Sequence, residues 1–539
     1  MSFPNRFVLE IGAVALLAAL ALAWGIRSQG MASGAVDPIL HAGAQDEAVY
    51  GHEAALMART GEWGTPVFLE RFALNKPPLL LWAGAAIMSA TGIGPVALRL
   101  PVLAAGALCC ALVYGWLRRS RSVAAAIAAV ALLLANPVFF SMSRRFMTDA
   151  LLTLFVTAAM FLLAVDPTWI RRWTPLAFGA LAGVAVMTKS AAGLLPLLML
   201  AVYWVFAGTK DRPPLRKILI AIAVTVLVAA PWHIYQFVVH QDWFVAEYVQ
   251  FQLLGSGLTA PSRYTGDSNL WFYLNTFMQT DPILLALWAV SIPGIVIAWK
   301  QNHEARLLAA WFVAVAISLG IFGTRAAYYL MPLLPVLVLT GAEFSSLFRG
   351  RVSWLACAAA IVWFGARVDY KPHTVEAAPA LDRYAQLRRS NELLIVGIDD
   401  EFYGSVLDLP KVRYVYVTPL DATKTSEFFY RLGMILPGDQ FCSLAERMPE
   451  YEARLRAWKL PGDLHPEATL IDSGSFAGVP QLILCSPDRD FLLPGPAVAD
   501  DAHVVLPAGD GRFFLLAKKS TRRDPQAIAP GTVVTNQPH

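Results

Sequence analysis

Charge is what this sequence has least of. Asp, Glu, Lys and Arg together make up 15% of its 539 residues, and 57% are hydrophobic, whereas ordinary soluble domains carry about 25% charged residues. The mean hydropathy is +0.52. Soluble globular and disordered classes are excluded by those values, and several runs reach the ~20 apolar residues that cross a hydrocarbon core. The class is a polytopic α-helical membrane protein. Excess positive charge is also missing: a net +4 gives no footprint for nucleic acid. Cysteine is scarce, with five in the chain, so no disulfide framework organises it. Cys109, Cys110 and Cys357 fall inside apolar runs, where packing is the default role. Cys442 and Cys485 stand in a polar C-terminal part and can pair if that part lies outside the cytoplasm.

The apolar runs predict spans at 7–25, 95–117, 122–141, 149–165, 173–188, 191–208, 216–231, 281–299, 305–322, 327–346 and 351–367. The first has Arg6 alone ahead of it and exceeds a signal-peptide core, so an uncleaved helix is expected rather than a removed leader. Segment 77–92, PPLLLWAGAAIMSATG, is apolar but short and opens on two prolines. Basic loops decide its fate. Arg118-Arg119-Arg121, Arg171-Arg172, Lys210 to Lys217, Lys300 and Arg349-Arg351 all reach the cytoplasm if 77–92 does not cross and the N-terminus is inside. The expectation is about 11–13 transmembrane helices.

This topology puts the loops 26–94 and 232–280 outside, with the turn at 142–149, the region of Lys189 and the turn near Arg325. Residues 1–370 form the membrane domain. Beyond 370 the pattern changes: NELLIVGIDD, KVRYVYV, PQLILCS and VVLPAGDGRFFLLAKK read as strands with turns between them. Residues 371–520 are expected to be a small α/β domain on the outer side, and 521–539 a disordered tail.

The acids that the chain does place near membrane boundaries gather on that one side. Asp46 and Glu47 stand side by side in HAGAQDEAVYGHE, after the first span. Asp149 opens the fourth span in SRRFMTDALLTLF, and Glu247 lies in DWFVAEYVQFQLL, past PWHIY with His233. Lys76 in LNKPPLLLW, Tyr50, Arg144, Arg145, Arg263, Arg325, Tyr328 and Tyr329 share the face. Each acid alone has a bland reading: Asp149 as a first-turn acid at a positive helix end, Asp46 as a solvated loop residue. Their basic and aromatic company shifts the balance. Cations beside carboxylates suit a polyanion such as a lipid phosphate, with the carboxylates as base or metal ligands.

In their order, these motifs resemble a known family. Asp-Glu after the first helix, then Lys-Pro-Pro-Leu…Trp, Arg-Arg-Phe-x-x-Thr-Asp entering a helix, Pro-Trp-His-Ile-Tyr, and Tyr-Tyr-Leu-x-Pro-Leu-Leu-Pro are similar to the bacterial aminoarabinose transferases. Those belong with the protein mannosyltransferases among the multi-span GT-C glycosyltransferases. The resemblance implies an inner-membrane enzyme whose active site and C-terminal domain face the periplasm. It would move a sugar, 4-amino-4-deoxy-L-arabinose, from an undecaprenyl-phosphate donor to lipid A phosphate, and so favour resistance to polymyxin and cationic peptides. Carried over, it makes Asp46 and Asp149 the essential acids and Lys76 the donor-phosphate residue, with Arg263 as helper. Tyr50 and Tyr329 line the cavity, with Glu47, Tyr328 and Arg325 beside them. Two positions depart from the family pattern: Asp46-Glu47-Ala48-Val49-Tyr50 lacks the usual arginine, and Asn75 stands where an acid commonly precedes the lysine. They touch the choice of sugar and acceptor more than the reaction class.

The chemistry follows from the groups. A leaving lipid phosphate needs cations on its developing charge. A phosphate acceptor is already ionised and needs positioning more than deprotonation. Asp46 or Asp149 would orient the acceptor or stabilise positive charge on the ring, and Glu47 is a candidate partner for a sugar amine. No cofactor is demanded, although Asp149, Glu247 and His233 offer the ligand types a divalent cation takes. A monomer bound to the donor, a lipid acceptor and the membrane is expected. Two alternatives stand. A protein O-mannosyltransferase would share the Asp-Glu but need a carboxylate base for a hydroxyl acceptor. A transporter would place charged residues near the bilayer midplane on broken helices in repeated halves; this sequence shows no such repeat, and span 216–231 carries no charge past Lys217, Lys189 in VMTKSAAG being the best exception.

Overall fold

The computed structural model describes residues 3–24, 26, 44–68, 71–92, 94–241, 244–259, 269–299, 302–322, 325–345 and 351–367, with strand segments at 394–396, 417–418, 471–472, 482–485, 503–508 and 513–518. It is a helical membrane body. The chain enters through α1 (Phe3–Ala23) and α2 (Ala44–Thr60), makes a two-residue hairpin from β1 (Val67–Phe68) and β2 (Arg71–Phe72), and continues into α3 (Leu79–Thr91) and α4 (Pro95–Arg118). Then follow α5 (Val123–Ala135), α6 (Pro137–Met142), α7 (Thr148–Val165), α8 (Thr174–Lys189), α9 (Leu195–Phe206) and α10 (Leu215–His240). After a wide helical turn over Val245–Thr259 come helices at Asn269–Thr280, Pro282–Ala298, His303–Ile321, Leu334–Ser345 and Arg351–Arg367.

Among the described residues, six helices are long and apolar enough to cross a membrane, and seven if the bent pair Leu270–Thr280 and Pro282–Ala298 is one span. Of the expected spans, 122–141, 327–346 and 351–367 become the shorter apolar helices Val123–Ala135, Ala327–Ala342 and Cys357–Ala366, and 173–188 with 191–208 count as one apolar stretch, Thr174–Phe206. The physical reason is that polar caps and prolines break the apolar runs. Span 122–141 divides at Asn136, whose Oδ1 accepts the Phe139 N–H at 3.1 Å and starts α6, with Pro137 as its first residue. The Asn136 side-chain amide then donates to Asp281 Oδ2 at 3.0 Å, and Asp281 Oδ1 accepts the Leu284 N–H to start the next helix. One buried polar pair thus serves two helix N-termini.

Two boundaries move. The sequence ends a span at 231, before PWHIY, yet α10 continues through Pro231 to His240. Much of the supposed loop 232–280 is therefore helical, and His233 rides on a long helix. Segment 77–92 becomes α3, a helix of 13 residues, about 20 Å long at 1.5 Å per residue and short of the ~30 Å hydrocarbon core.

Small residues bring α8 and α10 together. A Cβ on Gly179 would stand 2.3 Å from the Ala221 carbonyl oxygen, and one on Gly183 would stand 2.6 Å from Val228 Cβ. Thr225, between them, donates to the Gly179 carbonyl at 3.1 Å. This is the close approach that small residues allow between helices in lipid. The fully buried side chains around α4, α5 and α7 form the core of the body.

Of the expected C-terminal domain, the described residues form a four-stranded mixed sheet ordered Leu394–Val396, Leu482–Cys485, Phe513–Lys518, His503–Ala508. Its first pair is parallel and the rest antiparallel, the last two strands pairing Val505 with Leu516 as a hairpin. A short parallel pair joins Val417–Thr418 to Ile471–Asp472. Four of the sequence-predicted strand regions therefore contain strands. Cys442, and hence its pairing with Cys485, lies outside the described residues, as do the tail 521–539 and Arg263.

Candidate active site

The site is built on α2. Asp46 and Glu47 occupy its first turn, where the positive end of the helix dipole favours acids. Helical spacing then separates them. Asp46, Tyr50 and Glu53, at i, i+4 and i+7, share one face, and Glu47 points elsewhere. Glu47 is wholly buried and so is its partner Arg99 on α4, whose guanidinium forks onto it: Nε to Oε1 at 2.7 Å, Nη2 to Oε2 at 2.9 Å. Glu47 Oε1 also accepts the Phe146 backbone N–H at 2.9 Å. Glu47 therefore ties α2, α4 and the turn before α7 together, and it is not presented as a partner for a sugar amine.

Phe146 is three residues from Asp149, in the first turn of α7. Asp149 is 1% exposed. Its Oδ1 accepts the Lys189 Nζ at 2.5 Å, and its Oδ2 is buried without a hydrogen-bond partner. Lys189 is the last residue of α8, followed by Ser190 at φ 49°. This left-handed turn ends the helix and leaves the lysine at its tip. The same ammonium stands over the rings of Tyr329 and Tyr328, 4.5 and 5.3 Å from their centroids, a geometry of cation–π attraction. Those two rings meet edge to face at 4.9 Å.

Lys76 arrives from the segment between β2 and α3. Its ammonium donates to Gln252 Oε1 at 2.8 Å. Glu247, five residues before Gln252, takes the Leu74 N–H on Oε2 at 2.6 Å. The helical turn 245–259 thus clasps the lysine segment at two points. Partial burial lowers the Lys76 ammonium to about 8, helped by the charge of Lys189 and opposed by Asp46, Asp149 and Glu53. Burial raises the Asp46 carboxyl above its ordinary value, with Lys76 and Lys189 pulling it down and Asp149 pushing it up. Asp46, Asp149, Lys76 and Lys189 are therefore one electrostatic cluster.

Of the other expected residues, Tyr50 and Tyr328 are buried at this cluster and Tyr329 lies half-buried beside them. Arg325 sits at its margin, close to Tyr273. The three metal candidates are not brought together. His233 engages the Tyr248 hydroxyl at 2.6 Å and the Ala229 carbonyl at 2.8 Å, Glu247 holds Leu74, and Asp149 holds Lys189. Among the described residues, no group of three or more His, Cys, Asp or Glu side chains is arranged to hold a metal ion.

Sequence reasoning gave no site role to Lys189, Arg99, Glu53 or Gln252. A lysine ending an apolar helix on the acidic side was a usable signal for the first. Nothing in sequence spacing marks Arg99, which is 52 residues from Glu47.

Comparison with known proteins bears on the fold that carries this cluster. Residues 75–235 match the family dolichyl-phosphate-mannose-protein mannosyltransferase. An uncharacterized protein of Aquifex aeolicus is 24% identical over 56% of this chain and 58% of its own length. The undecaprenyl phosphate-alpha-4-amino-4-deoxy-L-arabinose arabinosyl transferase 1 of Pseudomonas fluorescens is 26% identical over 55% of this chain and 52% of its own. The chain thus spans somewhat over half the length of these curated relatives. The crystal structure of ArnT from Cupriavidus metallidurans, bound to undecaprenyl phosphate, superposes with a TM-score of 0.68 at 18% identity, over 96% of this chain and 99% of that one. At that identity the likeness speaks for a common fold.

Proposed function

For a chain that matches the mannosyltransferase family over 75–235 and has the fold of ArnT, we propose glycosyl transfer from a polyprenyl-phosphate sugar to a lipid phosphate. The donor is undecaprenyl phosphate-linked 4-amino-4-deoxy-L-arabinose, as the name of the relative has it, and the acceptor is a phosphate of lipid A. The setting is a bacterial inner membrane, with the cluster and the C-terminal domain on the periplasmic side and the chain acting as a monomer. The outcome is a lipopolysaccharide of lower negative charge and greater resistance to cationic peptides.

The observation that carries this reading is the clustering of two acids and two lysines from four distant stretches of sequence. Electrons move simply. An ionised oxygen of the acceptor phosphate forms a bond to the anomeric carbon, and the bond from that carbon to the donor's phosphate oxygen breaks. Undecaprenyl phosphate leaves with the electron pair. Lys76 holds the leaving phosphate, with Arg263 as its helper, because charge grows there in the transition state. Asp46 and the free oxygen of Asp149 face the positive charge that builds on the ring. Lys189 fixes Asp149 through its contact with Oδ1. No proton has to be removed from the acceptor.

The test is the mass of lipid A from cells that express the protein. One added pentosamine per acceptor is expected. Unmodified lipid A together with newly glycosylated secreted proteins would instead favour a hydroxyl acceptor and the O-mannosyltransferase chemistry.

A further inference from the structure

The face of α2 that carries Asp46 and Tyr50 continues to Glu53, which the transfer described above does not use. Glu53 is 2% exposed. Among the described residues it makes no hydrogen bond and no salt bridge, and the charges that reach it are those of Glu247, Asp46 and Lys76. Glu247, also 2% exposed, is pinned by the Leu74 N–H at 2.6 Å. Two carboxylates are thus enclosed together, and Lys76, the cation whose charge reaches Glu53, donates to Gln252.

An enclosed carboxylate with no partner is unfavourable. Burial, and after it the charges of Glu247 and Asp46, push the Glu53 carboxyl well above the usual carboxylate range, which disfavours its charged form. A ligand that brings its own positive charge would offset that cost and give Glu53 a charge-assisted partner. The placement fits such a ligand. Seven residues separate Glu53 from Asp46, about 10 Å of helix rise, so a sugar whose anomeric end lies by Asp46 and Lys76 extends its far end along α2 towards Glu53.

We propose that Glu53, backed by Glu247, is the specificity-determining residue for an ammonium group on the donor sugar. This rests on the glycosyl-transfer reading of the same site and adds to it the side chain that selects an amino sugar over a neutral one.

The test uses the full-length protein in proteoliposomes with two donors that differ in one group: undecaprenyl phosphate-linked 4-amino-4-deoxy-L-arabinose, and the same lipid with a hydroxyl in place of the amine. Binding is followed by tryptophan fluorescence, and transfer is followed separately by the mass of added lipid A. Wild type is expected to bind the amine at least about tenfold more tightly, the scale of a charged hydrogen bond. In Glu53→Gln the ratio should fall towards one, and Glu53→Asp should restore part of it. A wild-type ratio near one overturns the proposal, as does a wild-type ratio kept by Glu53→Gln. Equal weakening of both donors in Glu53→Gln also overturns it, because that is what a purely structural role would give. If Glu53→Gln does not fold, the ratio in Glu247→Gln decides in the same two directions. Wild-type protein that binds but transfers from neither donor counts against glycosyl transfer, while the binding ratio still decides the role of Glu53.

Discussion

The Lys189 ammonium is 2.5 Å from Asp149 Oδ1 and 4.5 Å from the centre of the Tyr329 ring. It joins the end of α8 to the start of α7 and to the 3-10 turn Ala327–Leu333, in which Tyr329 lies. Asp149→Asn removes the charge from this junction and from the face proposed to meet the sugar ring. Transfer to lipid A should fall by about 100-fold or more, the scale of losing one preorganised electrostatic contact. The initial rate with purified protein measures it, and a wild-type rate would remove Asp149 from the site.

The buried Arg99–Glu47 pair should matter for folding rather than for chemistry. Arg99→Leu leaves a carboxylate enclosed without its cation, which should lower stability by about 3–5 kcal/mol. Adding Glu47→Leu should recover a large part of that loss. Unfolding of the two single variants and the double variant in detergent gives the coupling energy. Additive losses would mean that the two side chains do not act as a pair.

Lys76 should make donor use sensitive to mildly alkaline pH. With its ammonium held at about 8 by burial and by Lys189, it is charged below that value and neutral above it. Donor capture, read as kcat/KM, should therefore decline as pH rises from about 7 to about 9. Lys76→Ala should lower kcat/KM about tenfold or more at the acid end and flatten this limb of the profile. An unchanged limb in the variant would assign the pH dependence to another group.

The orientation is open to chemical labelling. The proposed topology puts Glu62, just past α2, and Lys210, exposed between α9 and α10, on opposite sides of the membrane. With the five native cysteines replaced, Glu62→Cys should react with a membrane-impermeant maleimide from the periplasm of intact cells. Lys210→Cys should react only after permeabilisation. Labelling of both from one side would dismantle the proposed topology.

The membrane class and most helix positions were legible in the chain, because apolar length is a property of sequence and lipid leaves helices as the economical answer. So were the acids Asp46 and Asp149 and the cation Lys76, since charge is conspicuous where nearly everything else is apolar. The breaks in the helices were less so. Asn136 and Asp281 look like ordinary polar residues until the fold places one against the other and each caps a helix.

Two neighbours show most clearly what sequence alone leaves undecided. Asp46 and Glu47 are adjacent and chemically alike, and the chain by itself assigns both to the site. A turn of about 100° per residue, following from 3.6 residues per turn, sends one towards Lys76 and Lys189 and the other into the Arg99 guanidinium. The sequence determined a helical membrane protein in which a few scarce charges, Asp46, Glu47, Lys76 and Asp149 among them, stand out. Only tertiary structure decided which of them gather in one cluster and which hold helices together, because that depends on partners dozens of residues away and on the face each helix turns inward.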